Sequence, residues 1–217
     1  MTHYIPYVNN PELLIKSYNS ARFHDDVVIL DNRGAFYKEK DPKEFIRPLH
    51  RGHKIRKLDI SLTTAQIMNY MLIDSYKRGD KFFTWQHGDI EYSPDVLLDF
   101  RRYVLDLVST DWGIIYTHHD LLSAYNVEAL MSINGWDALS FPYYFLDNDI
   151  AARLNKAGYK LVIYNTKSEI KHHASATINT DRYRKYVSDL IFPASQHLNQ
   201  LRHGDYLPTN ISADEYA

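Results

Sequence analysis

The chain has 217 residues, no cysteine and a formal net charge of −2. This length favours a single domain spanning 1–217 with a substantial core, and the charge provides no basic surface for a nucleic-acid partner. The absence of cysteine excludes disulfides and thiolate zinc sites. With no apolar run of about 18 residues and no secretory signal, we expect a cytoplasmic protein without a transmembrane segment.

Strands and helices alternate along the chain, and this alternation predicts an α/β fold with a mostly parallel central sheet flanked by helices. Residues 4–8 form the first predicted strand, and Pro11 begins a helix that runs to about Ser20. The apolar run 27–30 predicts a strand covered on both faces. Residues 35–57 show no clear period, which predicts a long loop with one or two short strands.

The middle of the chain repeats this alternation. A capping box at Thr63 and Gln66 predicts a helix that ends near Gly79. Residues 82–85 form an apolar strand, Ser93 and Pro94 begin the next helix, and residues 112–117 form another strand.

The last third of the chain contains a short predicted helix over 126–133 and a longer one over 147–157. Two further strands are expected at 161–164 and 169–172. An amphipathic helix is expected over about 181–203, followed by a loose tail.

The first candidate site lies where the apolar strand 82–85 ends. Asp89 follows this strand beside Gly88, and ligands of open α/β sheets bind outside the carboxyl ends of the strands. A carboxylate at that place can hold a divalent cation. Formation of a turn or a helix cap is the simpler alternative for Asp89.

A second carboxylate cluster comprises Asp147 and Asp149, in the first turn of a predicted helix. Two nearby carboxylates raise one another's pKa, which suits a general base that works near neutral pH. The alternative is a helix cap together with an ion pair between Asp149 and Arg153, four residues apart.

Histidines provide a third group of candidates. His172 and His173 end a predicted strand, and His172 with Asp89 would make an N/O ligand pair for Mn²⁺ or Mg²⁺. The group 118–120, His-His-Asp, is a rival metal site, although capping of a strand explains it as well. The P-loop, dinucleotide and serine-hydrolase motifs are absent.

The order of these motifs resembles that of the GT-A glycosyltransferases, in particular the inverting family-2 group that includes many rhamnosyltransferases. The resemblance covers about Tyr4 to Thr177. Its most specific part, 134–159, is similar to the acceptor and base segment GGFDE…F…EDxDLxxRxxxxGY. The triplet 87–89 aligns with the DxD metal motif, and 171–177 resembles the HHxxSAT strand. Such domains occur in bacterial surface-polysaccharide pathways and in large algal viruses, where the site of action would be the host cytoplasm.

The resemblance also implies a Rossmann-like, nucleotide-binding sheet and a role for each matching residue. Asp147 would be the catalytic base, and Asp89 and His172 would hold Mn²⁺ or Mg²⁺, with His173 as a weaker candidate ligand. The residues implied for nucleotide-sugar binding are Asn9, Asn10, Asp31, Asn32, Asn69, His87, Gly88 and Asp89. Those implied for acceptor binding are Trp136, Asp137, Tyr143, Tyr144 and Asp149.

The activity implied is metal-assisted, inverting transfer of rhamnose or a hexose from a UDP- or dTDP-sugar to a hydroxyl of a glycan or glycoprotein. The chain departs from the family pattern twice, because His87 replaces the first DxD aspartate and Leu146 replaces the glutamate before the base. These departures leave open whether metal is required. The alternatives are a metal-dependent hydrolase built on residues 118–120 with His172, and a catalytically inactive module that binds sugar nucleotides or glycans.

Overall fold

The computed structural model describes residues 1–34, 41–46, 49–107, 110–117, 120–173, 182–204 and 210–212. The strands of this part are β1 (His3–Tyr7), β2 (Val27–Asp31), β3 (Lys54–Lys57), β4 (Phe82–Gln86), β5 (Ile90–Tyr92), β6 (Trp112–Tyr116), β7 (Leu122–Asn126), β8 (Lys160–Ile163), β9 (Ile170–His172) and β10 (Asn210–Ser212). Its helices are α1 (Pro11–Ala21), α2 (Pro42–Phe45), α3 (Thr64–Arg78), α4 (Pro94–Asp106), α5 (Val127–Ser132), α6 (Leu146–Lys156) and α7 (Arg182–His203).

Eight strands form one central sheet in the order β10-β8-β6-β7-β4-β1-β2-β3. Strand β7 runs antiparallel to both of its neighbours, β4 and β6, and every other adjacent pair in this sheet is parallel. The predicted α/β fold with a mostly parallel central sheet is therefore confirmed. Strands β5 and β9 form a separate antiparallel ribbon.

The core lies on both faces of the central sheet. On one face, α3, α5 and α6 contribute the buried side chains of Met68, Leu130 and Ile150. On the other face, α1 and α4 contribute Leu14 and Phe100. Because helices cover both faces, a strand such as β2 is buried along its whole length, as its continuous apolar run predicts.

The predicted start and end of α3 are confirmed. The Thr63 hydroxyl accepts a hydrogen bond from the Gln66 backbone N–H (3.3 Å), and the Gln66 side chain accepts one from the Thr63 N–H (2.9 Å). Gly79 ends the helix with φ of +73°, a left-handed conformation that glycine adopts without steric cost.

Three strands were missed by the sequence analysis, namely β5, β7 and β10. The sequence of β7 has no apolar run because it contains Ser123 and Asn126, both buried. Both side chains donate hydrogen bonds to backbone carbonyls: Ser123 to that of Asp120, and Asn126 to those of Thr110 and Trp112. Strand β10 lies in the tail that was expected to be loose, so that expectation is wrong for Asn210–Ser212.

None of the helices in the described ranges combines the length and the apolar character needed to cross a membrane.

Candidate functional site

The polar residues of the candidate site gather at the carboxyl ends of β1, β2 and β4. The triplet 87–89 follows β4 directly, and Gly88 fixes its path. A Cβ on Gly88 would lie 2.6 Å from the carbonyl oxygen of Pro6, so only glycine allows the triplet to pack against β1. Asp89 is thereby held beside the sheet, and its side chain is only 11% exposed.

Asp89 lies next to two histidines. The ligand atoms of His87, Asp89 and His172 all lie within 4.8 Å of one another. The β5–β9 ribbon brings His172 there, because it pairs His172 with Ile90, one residue after Asp89. The distance from His172 Nε2 to Asp89 Oδ1 is 3.5 Å. Imidazole nitrogens and a carboxylate oxygen are a suitable donor set for a divalent transition-metal ion.

His173 takes a different direction from His172. Its backbone N–H donates to the Asp89 carbonyl oxygen at 2.9 Å, and its Nε2 lies 3.5 Å from the Glu91 carboxylate. The structure therefore places His173 beside the three-residue group, while its ring faces Glu91.

The imidazole of His87 lies between two carboxylates. Its Nδ1 is 3.9 Å from Asp89 Oδ1, its Nε2 is 3.8 Å from Asp120 Oδ2, and its ring centroid is 4.8 Å from that of Trp85. Burial lowers the pKa of His87, but the charges of Asp120, Asp89 and Asp147 outweigh this effect and raise the pKa above its ordinary value.

Asp147 occupies the first turn of α6, close to the same group. Surrounding protein and the negative charge of Asp120 raise the pKa of Asp147 to about 7, although His87 acts in the opposite direction. The Asp147 side chain nevertheless remains open to solvent. An accessible carboxyl group with such a pKa can exchange protons near neutral pH.

The residue that precedes α6 has an unusual backbone. Phe145 adopts φ of +59° and ψ of +8°, a left-handed conformation that costs about 1 kcal/mol or more for a non-glycine residue. This turn directs the chain from residues 136–144 into α6, with Asp147 two residues later.

Two residues expected to bind nucleotide lie at the end of β2 with their polar atoms already paired. Asp31 is 1% exposed and accepts two hydrogen bonds from the Arg33 guanidinium, at 2.7 and 2.8 Å. This pairing raises the pKa of Arg33. The Asn32 amide donates to the Leu62 carbonyl (2.9 Å) and accepts from the Leu62 N–H (2.7 Å).

Two of the other asparagines expected at the nucleotide make hydrogen bonds to backbone groups. Asn10 caps α1 by accepting a hydrogen bond from the Leu13 N–H at 3.2 Å, and Asn9 is half-buried directly before it. The Asn69 amide exchanges two hydrogen bonds with the backbone of Trp136, both 2.8 Å long. Asn69 therefore holds the backbone at Trp136 in place.

The residues expected at the acceptor differ in their surroundings. One lies in the core, one is exposed, and the others contact helix α7. Trp136 is 3% exposed and packs edge-on against Tyr125, whereas Tyr143 is exposed. Asp137 accepts hydrogen bonds from Ser140 and Arg202, which lower its pKa more than burial raises it. The Tyr144 hydroxyl contacts the Ser188 hydroxyl of α7.

Asp149 lies inside the contact between α6 and α7. It is 1% exposed, and its carboxylate contacts Arg153 (2.8 Å), Arg202 (3.1 Å) and His203 (3.0 Å). The predicted ion pair with Arg153 is present. These contacts occupy both oxygens of Asp149 and leave none directed at the residues around Asp89.

The sequence analysis did not identify Asp120 as a neighbour of His87 and Asp147. Asp120 faces His87 and raises the pKa of Asp147, yet the sequence analysis placed it only in the rival His-His-Asp metal site. The two histidines of that rival site, 118 and 119, lie outside the described residues. The missed signal was the reversal of the chain here: β6 ends at this edge of the sheet and the antiparallel β7 begins there, so the turn between them places Asp120 at the same edge.

Among known proteins, neither a family model nor a curated protein matches the chain, but solved structures do. TarS from S. aureus aligns with a TM-score of 0.59 at 11% identity, over 95% of this chain and 40% of its own. Glucosyl-3-phosphoglycerate synthase from Mycobacterium tuberculosis, solved with Mn²⁺ and UDP-glucose, aligns with a TM-score of 0.56 at 11% identity, over 88% and 77%. A candidate nucleotide-diphospho-sugar transferase from Desulfovibrio desulfuricans G20 aligns with a TM-score of 0.53 at 12% identity. The alignment covers 95% of this chain and 99% of that protein.

The chain therefore shares its fold with these solved structures. The shorter TarS form, residues 1-349, has the same fold and aligns with a TM-score of 0.52 at 10% identity over 70% of this chain. The chain spans 54% of that form and 40% of the longer one. At these identities the likeness concerns the fold, and the inverting, rhamnosyltransferase-like group stays a prediction.

Proposed function

We propose that the protein is an inverting glycosyltransferase. It would transfer a sugar, rhamnose or a hexose, from a UDP- or dTDP-linked donor to a hydroxyl group of a glycan or glycoprotein in the cytoplasm. The roles of Asp147 as base and of Asp89 and His172 as ligands of Mn²⁺ or Mg²⁺ follow from the same proposal.

One observation carries this proposal. Segments that are distant in the sequence meet at one edge of the sheet, where a cation-binding donor set lies within electrostatic range of Asp147. Transfer from a nucleotide-diphospho-sugar needs a positive charge at the leaving diphosphate and a proton acceptor for the attacking hydroxyl. Asp89 with His172 and Asp147 can supply these two functions.

The chemistry follows from the position of each group. A bound divalent ion supplies positive charge for the diphosphate as the bond to the anomeric carbon breaks. The Asp147 carboxylate accepts the proton of the acceptor hydroxyl while the hydroxyl oxygen forms the new glycosidic bond from the opposite face. The turn at Phe145 and the contact between Asn69 and Trp136 fix the conformation of the segment that precedes this carboxylate in the chain, for which we propose acceptor binding.

The central test is Asp147→Asn, which keeps the shape of the side chain and removes the base. We expect donor binding to persist and turnover to fall by about 100-fold or more. Nucleotide-sugar binding by calorimetry and sugar transfer by mass spectrometry measure the two effects. Asn148→Ala, at the exposed neighbour, is the matched control and should retain turnover. Near-normal turnover of Asp147→Asn would remove Asp147 from the role of base.

The two alternatives make different predictions for the wild-type protein. A metal-dependent hydrolase would release sugar or phosphate from a substrate without any acceptor, and would hold zinc through purification. An inactive binding module would bind a nucleotide sugar without transfer and without slow hydrolysis of the donor. A panel of nucleotide sugars, assayed with and without Mn²⁺, separates these outcomes.

A further inference from the structure

The histidine that replaces the first aspartate of the metal motif points towards the other two ligands. His87 Nδ1 lies 3.9 Å from Asp89 Oδ1, and His172 Nε2 lies 3.5 Å from the same oxygen. Atoms that bind one ion at about 2.1 Å lie about 3 to 4 Å from one another. Both separations from Asp89 Oδ1 therefore suit a single shared ion.

The surroundings of His87 favour this orientation of its ring. Asp120 Oδ2 faces Nε2 at 3.8 Å, on the side of the ring opposite Nδ1, and the Trp85 ring lies against the imidazole. Metal-binding histidines usually direct their second nitrogen towards a carboxylate, which fixes the ring and increases the basicity of the ligating nitrogen.

Two hydrogen bonds also hold the backbone of His87 in place. The His87 N–H donates to the Leu121 carbonyl (3.1 Å), and the His87 carbonyl accepts a hydrogen bond from the Ser17 hydroxyl (3.1 Å). These contacts join the residue to two other elements of the fold. His87 is thus positioned before any ligand binds.

We propose that His87 is a third metal ligand and that it makes the site selective for transition-metal ions such as Mn²⁺, Co²⁺ or Zn²⁺ over Mg²⁺. Mg²⁺ binds oxygen donors and keeps its water, whereas imidazole nitrogens bind the later divalent ions more strongly. Two imidazoles and one carboxylate therefore disfavour Mg²⁺. This inference deepens the proposed function, because the ion would serve the same donor diphosphate.

The test measures binding of the metal alone by the metal-free protein, without nucleotide or acceptor. Calorimetric titration with MnCl₂ and MgCl₂, together with the visible spectrum of the Co²⁺ complex, gives affinity and ligand type. For the wild type we expect Mn²⁺ to bind at least 10-fold more tightly than Mg²⁺. His87→Ala should weaken Mn²⁺ binding by 10-fold or more and change the Co²⁺ spectrum.

A second variant makes the test independent of lost packing. His87→Asp exchanges the nitrogen donor for an oxygen donor and should strengthen Mg²⁺ binding, so that the preference for Mn²⁺ falls to about 3-fold or less. His197→Ala, at an exposed histidine of α7, is the control and should change neither affinity. Circular dichroism establishes that each variant is folded.

Two results would overturn the proposal: equal affinity of the wild type for Mn²⁺ and Mg²⁺, or unchanged Mn²⁺ affinity in His87→Ala. Failure of the proposed function gives a different pattern, because the wild type would then select Mn²⁺ normally and bind no nucleotide sugar.

Discussion

Asp147, His87 and Asp120 interact electrostatically. Asp120 raises the pKa of Asp147, and His87 lowers it. The same two carboxylates raise the pKa of His87. With a pKa of about 7, the Asp147 carboxyl group is half-protonated at neutral pH, so small changes in these neighbours change the fraction that can accept a proton.

A pH profile tests this arrangement at the level of single residues. Because the base acts only when it is deprotonated, kcat/KM of the wild type should rise with pH through about 7. Asp120→Asn removes a negative charge, lowers the pKa of Asp147 and should move this rise to lower pH. Asp189→Asn, at an exposed carboxylate of α7, should leave the profile unchanged. A profile that does not move in Asp120→Asn would contradict the coupling.

At this scale, the sequence analysis selected neighbouring segments more successfully than it predicted their contacts. Asp89 and His172, chosen from strand ends, are adjacent, and Asp147, chosen from a helix start, lies within electrostatic range of His87. The chemical roles of these residues stay predictions. Asn69 was expected at the nucleotide, but its amide is paired with the backbone of Trp136, 67 residues away. A partner so distant leaves no local pattern in the sequence.

Among the elements, α7 contacts the segment 137–149 at several points. Arg202 donates to Asp137 (2.8 Å), Asp149 (3.1 Å) and Ser140 (3.1 Å), and Phe192 packs against Phe145. One helix thus contacts both the segment before Asp147 and the buried carboxylate of Asp149, two residues after it.

Substitution of Arg202 tests the contribution of this helix. Arg202→Met keeps an unbranched side chain and removes three hydrogen bonds, one of them to a buried carboxylate. We expect the free energy of unfolding to fall by about 1–2 kcal/mol. As the control, Arg102→Met breaks an exposed ion pair with Asp99 and should change the free energy of unfolding by less than about 0.5 kcal/mol. Equal effects in denaturant titrations would show that the α7 contact does not stabilise the fold.

The elements themselves were predictable where burial follows a simple period. Amphipathic helices such as α3 and apolar strands such as β2 were identified close to their observed bounds. Strand β7 was missed because its buried serine and asparagine are paired with backbone groups, so its polarity does not indicate exposure. Strand β5 has only three residues, too few to establish a period.

At the scale of the whole molecule, buried histidines link the stability of the fold to pH. His3 is fully buried between Thr84 (2.8 Å) and Gln86 (2.7 Å), and its ring lies 5.4 Å from that of His24. Burial lowers the pKa of His3 to about 4 and that of His24 to about 2. Both histidines are therefore neutral in the folded protein at moderately acidic pH.

The sign of the resulting pH dependence follows from proton linkage. Below about pH 6.5 the unfolded chain binds protons that the folded protein excludes, so the free energy of unfolding should fall as pH is lowered towards 4, by up to about 1.4 kcal/mol per pH unit for each histidine. His24→Asn can retain the acceptor for the Asp26 N–H and should reduce this slope, as measured by urea unfolding at pH 7 and 5. His197→Asn is the control. An unchanged slope in His24→Asn would exclude His24 as a source of acid sensitivity.

The β5–β9 ribbon has a thermodynamic consequence for the whole protein. It joins two parts of the chain about 80 residues apart through three residue pairs, and it places the His172 imidazole opposite the Asp89 carboxylate. On the proposal that a cation binds here, cation binding and closure of the ribbon are linked equilibria, and each favours the other to the same extent. A sequence change that frays these three pairs would then lower metal affinity, even if it touches no ligand.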